Sequence, residues 1–387
     1  MSAPKKTTSA KVSEPPAPGA SIENEKTALA LKEIFNPERF SHVAEELSLV
    51  YPQFKPKPFM ASALENLDAL SLMERLRRLT DCLRAALPED YEKALDILMK
   101  LAPKLNHSFV TLALSDFVSQ HGQGHFEISM SALKFFTPFG SAEFGVREFI
   151  RRQPQKTLKI MQEWSTDADA HVRRLASEGS RPRLPWGTRL TAIVSEPELT
   201  AQILDNLRGD ASLYVKKSVA NHLNDIAKDH PDYVMSVIEK WPKENPHTEW
   251  IARHALRVLI KKGDRRALSI IGAGEKAAVR VRAFAVAPRA IRLGETISIT
   301  VNLASIDVKS QKLVIDYRVH YVRKSGQTAL KVFKMKELIL APKEGVTITR
   351  DRLIKNFSTR QHHAGRHEIE LLINGEALGR VFFDLTT

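Results

Sequence analysis

An all-helical solenoid followed by an all-β sandwich is the architecture this 387-residue chain predicts. Three observations carry it. Apolar residues recur at three- and four-residue spacing from about Glu25 to Gly274; similar helical segments return at intervals near 40 residues; and strict alternation replaces the helical period after Lys276. With 43% hydrophobic residues the chain can build a core in each part.

Residues 1–24 are rich in Ser, Thr, Ala, Pro and Lys without apolar periodicity, so a disordered basic leader is expected there. The leader lacks the apolar core of a signal peptide, and no apolar run is long enough to span a bilayer. Cys82 is the single cysteine, which excludes a disulfide framework and a cysteine-rich zinc site. A cytoplasmic protein is therefore expected.

Residues 25–276 should form the solenoid. ENLDALSLMERLRRLTDCLRAALPED and EDYEKALDILMKLAPKL show the helical period most clearly, and Pro, Gly, Asn and Asp separate the segments. DADAHVRRLASEG and GDASLYVKKSVANH align so that Val172, Arg173 and Arg174 meet Val215, Lys216 and Lys217, 43 positions on; TEWIARHALRVLI places Ile251 a further 36 along. Paired helices at that period predict HEAT-like repeats, which stack into a curved array with a concave face.

Residues 277–387 should form the sandwich. AVRVRAFAV, ETISITVNLA, KLVIDYRVHYV, LKVFKMKELIL, GVTITRDRLI, RHEIELLI and RVFFDL give about seven strands bounded by Gly, Pro, Ser and Asn turns, which suits an immunoglobulin-like fold without its disulfide.

Charge narrows the function. The formal net charge is +13, and residues 277–387 hold 19 Lys and Arg against 10 Asp and Glu, whereas residues 25–276 hold 36 against 33. A basic module beside a nearly neutral solenoid points to a polyanion, with nucleic acid first among candidates. The stretch HVRRLASEGSRPRLPWG nevertheless sets an acid, Glu178, and a tryptophan, Trp186, among four arginines. Asp169 is placed to cap a helix running to about Gly179, with Val172, Leu175 and Ala176 toward the core and Arg174 and Glu178 four apart on another side. Lys217, Asn221 and Asp225 follow the same stripe in the next repeat. In both repeats the base precedes the acid, and Glu178 and Asp225 fall near helix C-termini, where the macrodipole disfavours negative charge. Each departure costs a few tenths of a kcal/mol, and both run the same way. Glu143, just after Ser141 in FGSAEFGVREFIRR, reads by itself as a first-turn helix acid.

HVRRLASEGSRPRLPW, SLYVKKSVANHLNDIAKDHPD and SAEFGVREFI resemble the AlkC branch of the AlkC/AlkD DNA alkylation-repair glycosylases, and the resemblance runs from about residue 25 onward. Some members of that branch carry an immunoglobulin-like C-terminal domain. The resemblance implies Glu143, Glu178 and Asp225 as the catalytic acids and Trp186 and Arg174 as residues lining the lesion site; Lys216 and Lys217 stand where arginine is also expected. It further implies monofunctional hydrolysis of the glycosidic bond of cationic bases such as 3-methylcytosine and 3-methyladenine, on a bent duplex and without a conventional base-flipping pocket. The acids would face a cationic base, while Arg173, Arg181, Arg183, Lys216 and Lys217 would hold DNA phosphates. The competing expectation is a non-catalytic scaffold that binds DNA or protein.

A monomer acting on alkylated double-stranded DNA, with no cofactor and no metal, is expected. His121 and His125 in HGQGHFE, and His362, His363 and His367 in QHHAGRH, lack an accompanying acid or cysteine pattern for a metal and read as loop-surface residues, the second set able to touch phosphate. No Walker loop, dinucleotide fingerprint or serine elbow is present.

Overall fold

A computed structural model describes residues 31–242, 244–357 and 361–386, so the leader expected at 1–24 lies outside the described residues. From Glu33 to Ile270 the described chain is helical, and from Val279 to Thr386 it forms strands. The helix pattern follows local chemistry. Ser71 and Glu74 close a capping box on Leu72–Ala86, and the Asp90 carboxylate accepts from the Lys93 amide to start Tyr91–Leu101. No helix among the described residues is long and apolar enough to cross a membrane.

Three successive helices carry or adjoin the candidate residues: Ala170–Gly179, Leu213–Ile226 and Pro246–Ala255. The first and third begin on a side-chain cap. Asp169 Oδ1 accepts from the His171 amide at 2.7 Å, and Asn245 Oδ1 from the His247 amide at 2.9 Å. One turn earlier, Asp167 accepts from the Asp169 amide and Asp210 from the Ser212 amide, both at 2.8 Å, so the same Asx turn starts two successive repeats. Polar bonds also join each repeat to the next at these ends. Arg173 reaches Asp210 at 2.6 Å, Lys216 Nζ lies 3.1 Å from His247 Nδ1, and the Thr248 hydroxyl donates to the Arg208 carbonyl at 2.9 Å.

Among the described residues eight strands build the sandwich: β1 (Val279–Ala287), β2 (Ala290–Arg292), β3 (Thr296–Ser305), β4 (Gln311–Val322), β5 (Thr328–Leu340), β6 (Gly345–Leu353), β7 (Gly365–Ile373) and β8 (Glu376–Thr386). One sheet runs β1-β3-β6 and the other β2-β8-β7-β4-β5. The strand that sequence missed, β2, is only three residues long and pairs in parallel with β8. Ile297, Ile299, Val301, Leu303, Val319, Ile369 and Leu371, all fully buried, fill the space between the sheets.

The sandwich is fused to the end of the solenoid. Val314 of β4 belongs to the helical core, and the Asn374 amide donates to the Glu275 carbonyl at 3.0 Å. Asn374 and Gly375, with φ of 48° and 81°, turn β7 into β8, and a Cβ on Gly375 would come within 2.7 Å of the Gly263 Cα. Ion pairs of Arg253 with Glu337 and Arg265 with Glu376 also cross from helices to strands.

The histidines correct an expectation. His362 and His367 are buried, the first beside Tyr321 and the second stacked on Phe383, whereas His125 is exposed, as expected, with its ring against Tyr91. Aromatic neighbours distant in sequence draw His362 and His367 in.

Candidate active site

Glu143, Glu178 and Asp225 come together through a chain of alternating charge. Arg174, on the helix Ala170–Gly179, spans the Glu143 carboxylate at 3.2 and 3.3 Å, bonds to the Ser141 hydroxyl, and lies 3.6 Å from Glu178 Oε1. Arg181 continues the chain. Its Nη1 donates to Glu178 Oε1 at 2.7 Å, and its Nε and Nη2 lie 2.9 and 2.8 Å from Asp225 Oδ2. Lys228 closes it at 2.8 Å from Asp225 Oδ1.

All three acids are buried, as is Arg181. A lone carboxylate would not stay charged there, and its desolvation is offset only by close cations and directed hydrogen bonds. Glu178 shows the balance. Burial pushes its carboxyl up, but Arg174 and Arg181 outweigh that and hold it below the ordinary glutamate value. Arg174 is the counterpart: burial opposes its charge, yet Glu143 and Glu178 raise it above the ordinary arginine value. Glu178 therefore stays ionised at neutral pH.

The local fold explains why these acids sit where helix physics disfavours them. Glu178 is the penultimate residue of its helix and Asp225 the penultimate residue of Leu213–Ile226, so both project beside the loop carrying Arg181. Arg181 supplies the positive charge that the macrodipole withholds. Glu143 differs from its expectation: it lies in the turn ahead of the helix Val146–Arg152, and Glu148 is the first-turn acid.

Trp186, in the same loop as Arg181, is 69% exposed with φ of +63°. A bulky residue in the left-handed region is an outlier that costs about 1–2 kcal/mol, and exposure returns little of that through burial. Two neighbours escaped the sequence reading. Tyr214 lies under the Arg174 guanidinium at 4.7 Å from its ring centre, and His222, fully buried, faces the Ser177 carbonyl through Nδ1 at 3.0 Å. Tyr214 aligns with His171 in the repeat offset, the only signal that could have singled it out.

The cations expected on phosphates divide into two groups. Arg173 and Lys216 are engaged between repeats, the latter also lying 5.6 Å from the Trp250 ring, and Arg181 is sealed between two acids. Arg183, paired with Asp229 at 2.7 Å, is partly exposed, and Lys217 is exposed. One group among the described residues, His320, Glu368 and Glu370, has metal-ligand spacing. Arg318 and Arg380 already contact Glu370 at 2.9 and 2.8 Å, which supplies the positive charge a cation would bring.

The solenoid thus gathers three buried acids around paired arginines and carries a basic sandwich. Comparison with known proteins gives the class. Residues 131–259 match the family described as "DNA alkylation repair enzyme", and residues 280–387 match "Uncharacterised protein YhaZ, C-terminal Ig-like domain". The alkylpurine DNA glycosylase AlkC of Pseudomonas fluorescens, solved bound to DNA containing an abasic site analogue, is 52% identical with a TM-score of 0.89, covering 92% of this chain and 99% of that one. The uncharacterised protein YhaZ of Bacillus subtilis strain 168 is 39% identical over 356 residues, 92% of this chain and 99% of its own. This chain belongs to the AlkC family of DNA alkylation-repair glycosylases, and is accordingly a hydrolase.

Proposed function

We propose that the protein releases cationic N-alkylated bases, 3-methylcytosine and 3-methyladenine, from double-stranded DNA by monofunctional hydrolysis. The observation that carries this reading is the buried set Glu143, Glu178 and Asp225, joined through Arg174 and Arg181.

Breaking the bond between C1′ and the base nitrogen sends its electron pair into the alkylated ring, which departs neutral. The deoxyribose is left with oxocarbenium character, and water adds to C1′ while a carboxylate accepts its proton. Fixed carboxylates are worth most where positive charge develops in a site that excludes water. A base already cationic needs no acid to protonate it, which accords with an ionised Glu178. The three acids are paired with Arg174, Arg181 and Lys228 in the protein without DNA.

We assign Arg181 to holding Glu178 and Asp225, and leave phosphate binding to Arg183, Lys217 and the exposed cations of the sandwich. Trp186 would stack on the sugar or on the charged base. Side chains occupy the space among the acids, which supports engagement of the lesion at the surface without a deep flipping pocket. The test is mass spectrometry of free bases released from methylated duplex DNA. Release of 3-methylcytosine or 3-methyladenine is expected; DNA that is bound without any base appearing would favour a scaffold.

A further inference from the structure

We propose that Arg147 is a positioning residue for base release, clamping both ends of the loop that carries Arg181 and Trp186 onto the end of the Glu178 helix. The inference rests on the glycosylase reading above.

Arg147 lies on the helix Val146–Arg152, four residues after Glu143, and is 2% exposed. Every hydrogen bond of its guanidinium goes to a backbone carbonyl. Nη1 donates to Gly179 at 2.9 Å and to Arg181 at 2.8 Å; Nε donates to Thr188 at 2.9 Å, and Nη2 bonds to that same oxygen. Those three carbonyls bracket the segment. Gly179 ends the helix bearing Glu178, Arg181 bridges Glu178 to Asp225, and Thr188 lies two residues beyond Trp186.

A buried cation whose donors all reach backbone oxygens is arranged for ordering. The planar guanidinium fork can hold three carbonyls at fixed angles, a geometry that a lysine ammonium cannot copy. Its position also suits the field there, since carbonyls at a helix C-terminus attract positive charge. Two glycines make room. A Cβ on Gly179 would come within 2.5 Å of Val146 Cγ1, and one on Gly187 would sit 3.1 Å from Arg147 Nε. One side chain thus fixes, relative to Glu143, both the arginine that pairs the other two acids and the strained tryptophan.

Arg75 provides an internal control. It too is buried, at 1% exposed, and donates to the Leu67, Lys32 and Phe35 carbonyls, but none of these belongs to the site. The experiment is single-turnover release of 3-methyladenine from methylated duplex DNA, enzyme in excess and saturating, for wild type, Arg147→Lys and Arg75→Lys. Amplitude reports the folded, competent fraction; the rate constant reports the geometry of the site. Misplacing reacting groups by about 1 Å costs on the order of a hundredfold, so Arg147→Lys is expected to slow the rate constant by about tenfold or more at nearly unchanged DNA affinity. Arg75→Lys is expected to lower amplitude or thermal stability while keeping the wild-type rate constant. An Arg147→Lys enzyme with reduced amplitude but the wild-type rate constant would overturn the positioning role, and so would equal slowing in both variants. No release by wild type would remove the glycosylase reading itself, and this proposal with it.

Discussion

Arg181 shows at the scale of one residue how this site differs from a phosphate-binding patch. Its sequence context, SRPR beside a helix end, reads as a cation offered to DNA, but the fold turns it inward between Glu178 and Asp225. Intrahelical spacing could suggest Arg174 with Glu178; it could not show that Arg181 joins acids 47 positions apart, because that contact depends on how two repeats stack. His222 was equally hidden. Burial, and then the Arg181 charge, push it down to about 3, so it folds neutral and donates Nδ1–H to the Ser177 carbonyl. Its folded pKa lies below its unfolded value near 6.5, so its stabilising contribution is complete above that pH and is lost as pH falls from there toward 3. One proton changes stability by up to about 1.4 kcal/mol per pH unit, or about 2 kcal/mol between pH 6.5 and 5. Chemical denaturation of wild type and His222→Gln across that range should show a shallower pH dependence in the variant; parallel curves would refute this assignment.

At the scale of elements, the helices were legible because their periodicity and caps are local. Asp169 as a cap and Gly179 as the end of its helix are both visible in sequence. Glu143 was misplaced by three residues because two glycines and a serine around it give no sharp helix start. The loop between the two acidic helices was least legible, since its form depends on Arg147 from another element. Trp186 in that loop carries the backbone outlier, and strain of this kind persists where function retains it. Trp186→Gly should therefore keep or raise the melting temperature while base release falls, a pair of effects that calorimetry and a release assay can separate. A melting temperature that drops together with activity would mean that the tryptophan mainly packs the loop.

For the whole molecule, the change from helix to strand and the excess of positive charge in the last third were both readable from composition and alternation. The seam between the two parts was not, because Val314, Gly263 and Gly375 acquire their roles only when distant segments meet. Deleting the sandwich would expose solenoid core, so charge neutralisation is the cleaner probe of its contribution to DNA binding. Arg280 and Arg282 on β1, with Arg323 and Lys324 after β4, are exposed. Replacing all four with glutamine should weaken DNA affinity and reduce the slope of log affinity against log salt by about 0.9 for each phosphate no longer neutralised. An unchanged slope would assign these cations to another partner.

The central claim is that acids held by arginines stabilise a cationic transition state, and Glu178→Gln addresses it most directly. The amide preserves shape while removing the negative charge. Single-turnover base release on saturating methylated duplex is predicted to fall by about a hundredfold or more, in line with loss of one preorganised electrostatic group, while DNA affinity stays within a few-fold of wild type. A Glu178→Gln enzyme that binds DNA normally and releases base at the wild-type rate would contradict the account.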